Sequence, residues 1–377
     1  MKIIPGLSLI LILVFVIGCT GGDSNPESVS SVENTLRTIL VPVDSIGIEM
    51  GDSNYVFGVI RAADFTTAGN VVIGDIASMK MSMFSSGGEY ICSGGRQGEG
   101  PGEYAAPSGI TPSPGGGIMV TDMMGGKFIF YDSLLVFSHE LSGFIPNPPN
   151  SPVILDDGHI VGIRFIFNNE EGNLSNSLHR WEPGETEPKL TYFSRRGEFN
   201  RQNPQEVFHS TAINFCALPD GRVISSPMST EEYIITCYTT EGEIDWEIQR
   251  SFERTRRSDE EIEIEREMMR AAMRRNGRDP AYVDQMDFQT WSDAVVDLET
   301  DGERIWARRG GVLVPLFDIY STEGEYLYSC NVPDLPYGNS IAFRISPQGI
   351  LAYLANPENY SKIYILKETD IETEESY

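Results

Sequence analysis

Apolar residues in this chain fall into short runs separated by turn residues, and the runs return in a common frame. The segment from Asn70 to Asp75 (NVVIGD) comes back as Gly117 to Asp122 (GIMVTD). After each copy a short polar link leads to another apolar run, Lys80 to Phe84 in the first and Lys127 to Tyr131 in the second. Fainter copies are His159 to Arg164 after Gly158, Arg222 to Ser226 after Gly221, Arg304 to Arg308 after Gly302, and Gly349 to Tyr353 after Gln348. Most of them follow Asp-Gly, which supplies the positive φ that a tight hairpin requires. A later turn recurs at Ser86 to Glu89, Thr240 to Glu243 and Thr322 to Glu325, and an aromatic strand residue follows each time (Tyr90, Trp246, Tyr326). Four short strands with turns at both ends make one propeller blade. Such a sheet cannot bury both faces alone, so blades must stack around an axis. The pattern therefore predicts an all-β chain, a six-bladed β-propeller of four-stranded antiparallel blades over residues 36–367. A two-domain β-sandwich is the rival reading of the same strands.

Two irregularities refine this frame. The last repeat ends at its third strand, Lys362 to Leu366, and an acidic tail begins at Glu368 (368–377). A strand-like run from Leu36 to Ile48 precedes the first blade and has no blade of its own. Pairing the two predicts an N-terminal strand that completes the last blade and leaves no open edge there. The spacing from Gly221 to Gly302 is also about twice a normal blade, because it holds an insertion at 251–289. Within it, Ser258 and Glu261 have the spacing of a capping box. Ile264, Met268, Ala271 and Ala272 form a narrow apolar stripe at helical spacing, and Gly277 is placed to end the helix.

Charge and the chain's beginning narrow the functional classes. The net charge of −27 excludes nucleic acid as a partner, since phosphates demand a basic face. The insertion runs against this: residues 250–278 hold nine arginines and seven acids. A basic helix on an acidic body is a candidate docking element, with Arg266, Arg270 and Arg274 its exposed cations, or an elaborated loop lying back on the ring. At the start, Lys2 precedes an apolar run from Leu7 to Ile17, too short for a spanning helix of about 20 residues. It reads as a signal peptide over 1–18. Gly18-Cys19 then resembles the lipobox of bacterial lipoproteins, although Val16 and Ile17 depart from its usual residues. The resemblance implies lipidation at Cys19, a flexible tether over 19–35 and a place in the cell envelope. Ordinary signal cleavage nearby is the plainer alternative. The other cysteines, Cys92, Cys216, Cys237 and Cys330, show no framework spacing and read as small buried hydrophobes.

A longer resemblance starts at residue 36. Ser45-Ile-Gly47, Phe57, the run from Gly94 to Tyr104 (GGRQGEGPGEY), Pro107 and Ile110 resemble the bacterial six-bladed β-propeller lipoproteins, which share their pattern with NHL-repeat propellers. It is strong over 36–145 and spans 36–367, although blades three to six lose the Asp found at Asp75 and Asp122.

No residue pattern identifies catalytic chemistry. The Gly-rich run holds neither a P-loop nor GxGxxG, so it reads as an interblade connector; an anion nest beside Arg96 is the sharper alternative. Asp75 and Asp122 read as carboxylates closing a turn. His139, His159, His179 and His209 lack metal-ligand spacing, and there is no GxSxG elbow. Arg164, His209, Asn214 and Arg344 are polar candidates for the central funnel. These observations favour a monomeric, lipid-anchored binding or scaffold module for a protein, peptide or glycan, without a required cofactor. The alternative implied by the resemblance is a lactonase-like hydrolase or lyase holding calcium or zinc at the axis.

Overall fold

Five of the glycines that follow the repeated turns share one backbone conformation: Gly69, Gly116, Gly158, Gly221 and Gly302 have φ between +81° and +89°. At each, the first strand of a blade folds back into the second. In the second blade it is Gly116, one residue before the landmark at Gly117, that takes this conformation. The computed structural model describes residues 35–371 apart from 169, 200–203, 276, 355, 356 and 358. Cys19, the signal segment and nearly all of the tether lie outside the described residues, as does most of the acidic tail.

The first strand, β1 (Leu36–Ile46), stands apart from the first blade. Blade one is β2 (Ile60–Phe65), β3 (Val71–Asp75), β4 (Lys80–Phe84) and β5 (Tyr90–Gly94). Blade two is β6 (Pro107–Pro112), β7 (Ile118–Asp122), β8 (Lys127–Tyr131) and β9 (Phe137–Ser142). Blade three is β10 (Asn150–Ile154) with the longer strands β11 (Ile160–Asn168), β12 (Asn173–Trp181) and β13 (Leu190–Glu198). A short helix, α1 (Pro204–Thr211), leads into blade four: β14 (Ile213–Ala217), β15 (Val223–Pro227), β16 (Tyr233–Tyr238) and β17 (Ile244–Arg250). The insertion follows with α2 (Asp259–Arg275). Blade five is β18 (Asp297–Thr300), β19 (Arg304–Arg309), β20 (Leu316–Ser321) and β21 (Tyr326–Asn331). Blade six has β22 (Ile341–Ser346), β23 (Gly349–Leu354) and β24 (Ile363–Asp370).

β1 supplies the missing outer strand. It runs antiparallel to β24 from Thr38 opposite Asp370 to Ile46 opposite Ile363, and its first residues also pair in parallel with β21 of blade five. β24 continues through Asp370, so Glu368 belongs to the sheet, where it accepts hydrogen bonds from Thr38 and Tyr328 and pairs with Arg304.

Stacking is visible as one apolar cluster at each blade interface. Leu40, Trp306, Phe317 and Phe343 join blades five and six, and Ile46, Phe57, Phe84 and Tyr353 join blades six and one. The remaining four junctions have clusters of their own. An apolar seam between the sixth blade and the first closes the ring. Cys216, Cys237 and Cys330 are buried within it and unpaired; Cys92, on β5, is only half-buried.

The ring has two unlike faces. One carries the hairpins between first and second strands. The other carries the interblade connectors and the links between second and third strands, and here we name it the connector face. Both α1 and the insertion are interblade connectors, so they share that face.

Candidate ligand-binding cleft

The axis is lined by the six inner strands, and polar side chains there fasten blades to one another. Arg344 on β22 donates to Glu299 Oε1 of β18 at 2.6 Å, and its Nε lies 3.8 Å from Asp64 Oδ2 of β2. Blades five, six and one thus meet in a carboxylate–guanidinium–carboxylate bridge beside the closing seam. The Glu299 and Asp64 side chains are 10% and 16% exposed. Burial pushes the Asp64 carboxyl up to about 6 although Arg344 pulls it down. Glu299 is raised for the same reason, with one guanidinium shared between two carboxylates. Asn214, on β14, donates to Val295 O at 3.2 Å. Asn214 and Arg344 therefore stand on inner strands, and both hold neighbouring blades.

Two other funnel candidates are elsewhere. Arg164 is on β11, a second strand, where it donates to Thr186 O at 2.7 Å, pairs with Glu187 and lies over the Trp181 ring. Its length is used within blade three. His209 is not on a strand at all but on α1.

The Gly-rich run is a connector, and several of its amide groups bond within it. Glu103 accepts from Gly100 N at 2.9 Å and from Arg96 Nε at 2.6 Å, while Gly98 N donates to Tyr104 O. The chain's own carboxylate fills the place of an anion, and these amide and Arg96 bonds hold it below the usual carboxylate range. Gly95 is required by packing as well as by its φ of +75°, because a Cβ there would meet the Tyr104 hydroxyl oxygen at 2.5 Å. Asp75 and Asp122 do close turns, but they also clamp the approach to their own blades. Asp75 accepts from Gly58 N, Val59 N, Ala77 N and Ser78 Oγ; Asp122 accepts from Ala105 N, Ala106 N and Gly125 N.

The connector face carries a concavity beneath the insertion. The insertion leaves the ring through a two-stranded neck, in which Arg257 N donates to Thr290 O and Ser292 N to Thr255 O, both at 2.9 Å. Beyond the neck α2 begins with the expected capping box, Glu261 N donating to Ser258 Oγ and Ser258 N to Glu261 Oε2. The helix lies back over the ring and roofs a cleft of about 940 Å³. Met268, Met269, Met273, Phe288 and Trp291 give the cleft its apolar lining. His209 projects into it from α1 and bonds through Nε2 to the buried Asp293 Oδ1 at 2.7 Å. A carboxylate only accepts, so Nε2 carries the proton, and Nδ1 makes no other hydrogen bond among the described residues. Gln289 Nε2 donates to the other oxygen of Asp293 at 3.3 Å. Arg257 pairs with Glu265 and donates to Gln289 O, while its Nε and the hydroxyl of Ser292 are buried without a hydrogen-bond partner among the described residues.

The helix arginines are largely spent within the insertion. Arg266 pairs with Glu263 and lies over Phe288; Arg270 pairs with Glu263, Glu267 and Asp284. Arg274, 3.9 Å from Glu267 and 53% exposed, is the freest of the three. Among the described residues, no three His, Cys, Asp or Glu side chains gather as a metal site would require.

This architecture is a six-bladed β-propeller closed by its N-terminal strand. Residues 32–141 match the model of family DUF5128, described as a 6-bladed beta-propeller. Among solved structures, the chain is similar to a candidate exported protein of Bacteroides fragilis, at 13% identity and a TM-score of 0.50, covering 88% of this chain and 96% of that one. That likeness shows the fold alone. A DUF4221 family member from Bacteroides vulgatus aligns over 89% of this chain and 100% of its own, at 9% identity and a TM-score of 0.47. A calcium-binding regucalcin from Agrobacterium tumefaciens aligns over 84% and 93%, at 13% identity and a TM-score of 0.45. No curated protein sequence matches the chain.

Proposed function

We propose that the protein is a binding module of the bacterial cell envelope, fastened by a lipid on Cys19, which receives a peptide or glycan in the cleft beneath α2. The carrying observation is the make-up of that cleft: a methionine and aromatic lining with a few convergent polar groups, His209, Asp293 and Arg257. Such a surface combines adaptable apolar contact with fixed hydrogen-bonding points. Its position agrees with an anchor. β1 begins on the hairpin face, with Thr38 opposite Asp370, so the chain enters the ring on the face opposite the cleft.

One feature favours a second reading, catalysis in the same cleft. A histidine oriented by a buried carboxylate is the usual form of a general acid–base pair. Both readings meet one experiment, a thermal-shift screen of envelope peptides and oligosaccharides against the parent chain, Trp291→Ala and Met269→Asp. A ligand at about 100 times its Kd adds about 2.7 kcal/mol to stability. Binding lost in both variants supports the cleft; binding retained in both places the site elsewhere. Conversion of a bound compound that stops in His209→Ala would establish the enzymatic reading.

A further inference from the structure

The other flank of α2 and blade six enclose a second cleft, of about 670 Å³. Its ring-side wall is built from Pro336 and Tyr337 of the connector before β22, Pro357 and Tyr360 of the link before β24, and Tyr364 of β24 itself. The three tyrosines are half-buried. The facing wall is α2, which places Glu260, Glu263 and Glu267 along one side, with Ile264 and Met268 between them.

The charged lining is three carboxylates against one ammonium, Lys362. Glu263 and Glu267 share Arg270, but Glu260 is exposed and has no ion-pair partner among the described residues. The tyrosine wall also holds a cation, since Lys362 Nζ lies 5.7 Å from the Tyr360 ring centre and 4.7 Å from that of Tyr364. Hydrogen-bonding capacity is divided in the same way. The ring side offers the donor Lys362 beside tyrosine hydroxyls and the Asn359 amide, which can donate or accept; the helix side offers carboxylate acceptors. A fitting ligand would present carbonyls and apolar rings to one wall and positive charge to the other.

An extended proline-rich segment has that character. Its polyproline II backbone leaves carbonyls unpaired, proline lacks the N–H, and such segments dock in aromatic-lined grooves. Arginine or lysine beside the prolines would meet Glu260 and its neighbours. We propose that this second cleft docks a proline-rich, basic segment of a partner protein. It shares Met268 of α2 with the site beneath the helix, but its tyrosine wall and Glu260 belong to it alone, so variants there test it apart from that site.

The test is calorimetric titration of the full chain with a nonapeptide of proline bearing arginine at each end. Saturable binding is expected, weakened at least ~10-fold by Tyr360→Ala and by Glu260→Lys, with Trp291→Ala close to the parent. Replacing the arginines by glutamate should also weaken it at least ~10-fold. Circular dichroism checks each variant's fold, and if Tyr360→Ala does not fold, the exposed Glu260→Lys decides. No binding up to about 1 mM, equal binding by the glutamate peptide or by one with alanine for proline, or insensitivity to Glu260→Lys would overturn the proposal. So would Tyr360-dependent binding of a neutral oligosaccharide with none of the peptide.

Discussion

Removing one side chain from the closing strand should weaken the whole ring. Leu40 of β1 is fully buried in the seam with Trp306, Phe317 and Phe343. A Leu→Ala change at such a site costs about 2–5 kcal/mol, as lost transfer energy plus a residual cavity. The middle of that range, about 3 kcal/mol, fits a seam whose strands are hydrogen-bonded on both sides and cannot readily collapse. Unfolding entropy near 2.1 cal/mol/K per residue gives roughly 0.7 kcal/mol per degree for a chain of this size, so Tm should fall by about 4 °C. Val43 lies on the same strand but is 57% exposed, and Val43→Ala should change stability by no more than about 0.5 kcal/mol. Urea unfolding of both variants, monitored by tryptophan fluorescence and circular dichroism together, measures the difference. Equal effects from the two, or a loss below about 1 kcal/mol for Leu40→Ala, would refute the closure of the ring by β1.

Replacing residues 258–289 by a Gly/Ser linker that keeps the neck should lower Tm by only a few degrees while abolishing binding in both clefts; loss of folding would make the insertion part of the core. Stability should fall as pH rises from about 4 to 6 and beyond, because Asp64 titrates near 6 when folded against 3.8 ordinarily and Glu299 is raised as well. The folded state then holds protons that the unfolded chain has released, so the stabilisation is complete below the ordinary carboxylate range and lost above it. Glu299→Gln should flatten this slope in urea titrations across that range, and an unchanged slope would show that the axial bridge does not titrate so. Cys19→Ser should move the protein from the membrane to the soluble fraction, with the parent's mature N-terminus at residue 19; any other N-terminus excludes the lipid anchor.

The ring was legible because propeller turns are chemically explicit. Gly158, Gly221 and Gly302 mark their hairpins with Asp-Gly, and the unpaired run beginning at Leu36 announced its place in the last blade. The helix in the insertion was legible from local signals alone, Ser258, Glu261 and Gly277. α1 was not. It is eight residues long, too short for periodicity to accumulate, and it is held by tertiary contacts such as the buried Val207 and Thr211. His209 was chosen for the right quality, a polar group facing a concavity, but was assigned to the axis because the helix carrying it was missed. Its partner Asp293 follows the insertion, far along the chain, and no spacing links the two. The axial carboxylates were missed for a similar reason. One signal was available: Asp64 and Arg344 stand equally far before Gly69 and Gly349, so aligning the repeats on those glycines would have paired them. Arg164 was legible as a second-strand residue, because its repeat copy His159 to Arg164 sets it where Asp122 stands; its place in the funnel ignored that alignment.

Hydrogen exchange with mass spectrometry, on the full chain with and without the tightest ligand from the thermal-shift screen, tests the central claim most directly. Protection is expected in α2, in α1 around His209 and in residues 287–293, while the hairpin-face turns at Gly69, Gly116 and Gly158 exchange as before. Protection confined to those turns, or to the axial strands around Asp64, Glu299 and Arg344, would contradict a ligand site beneath α2.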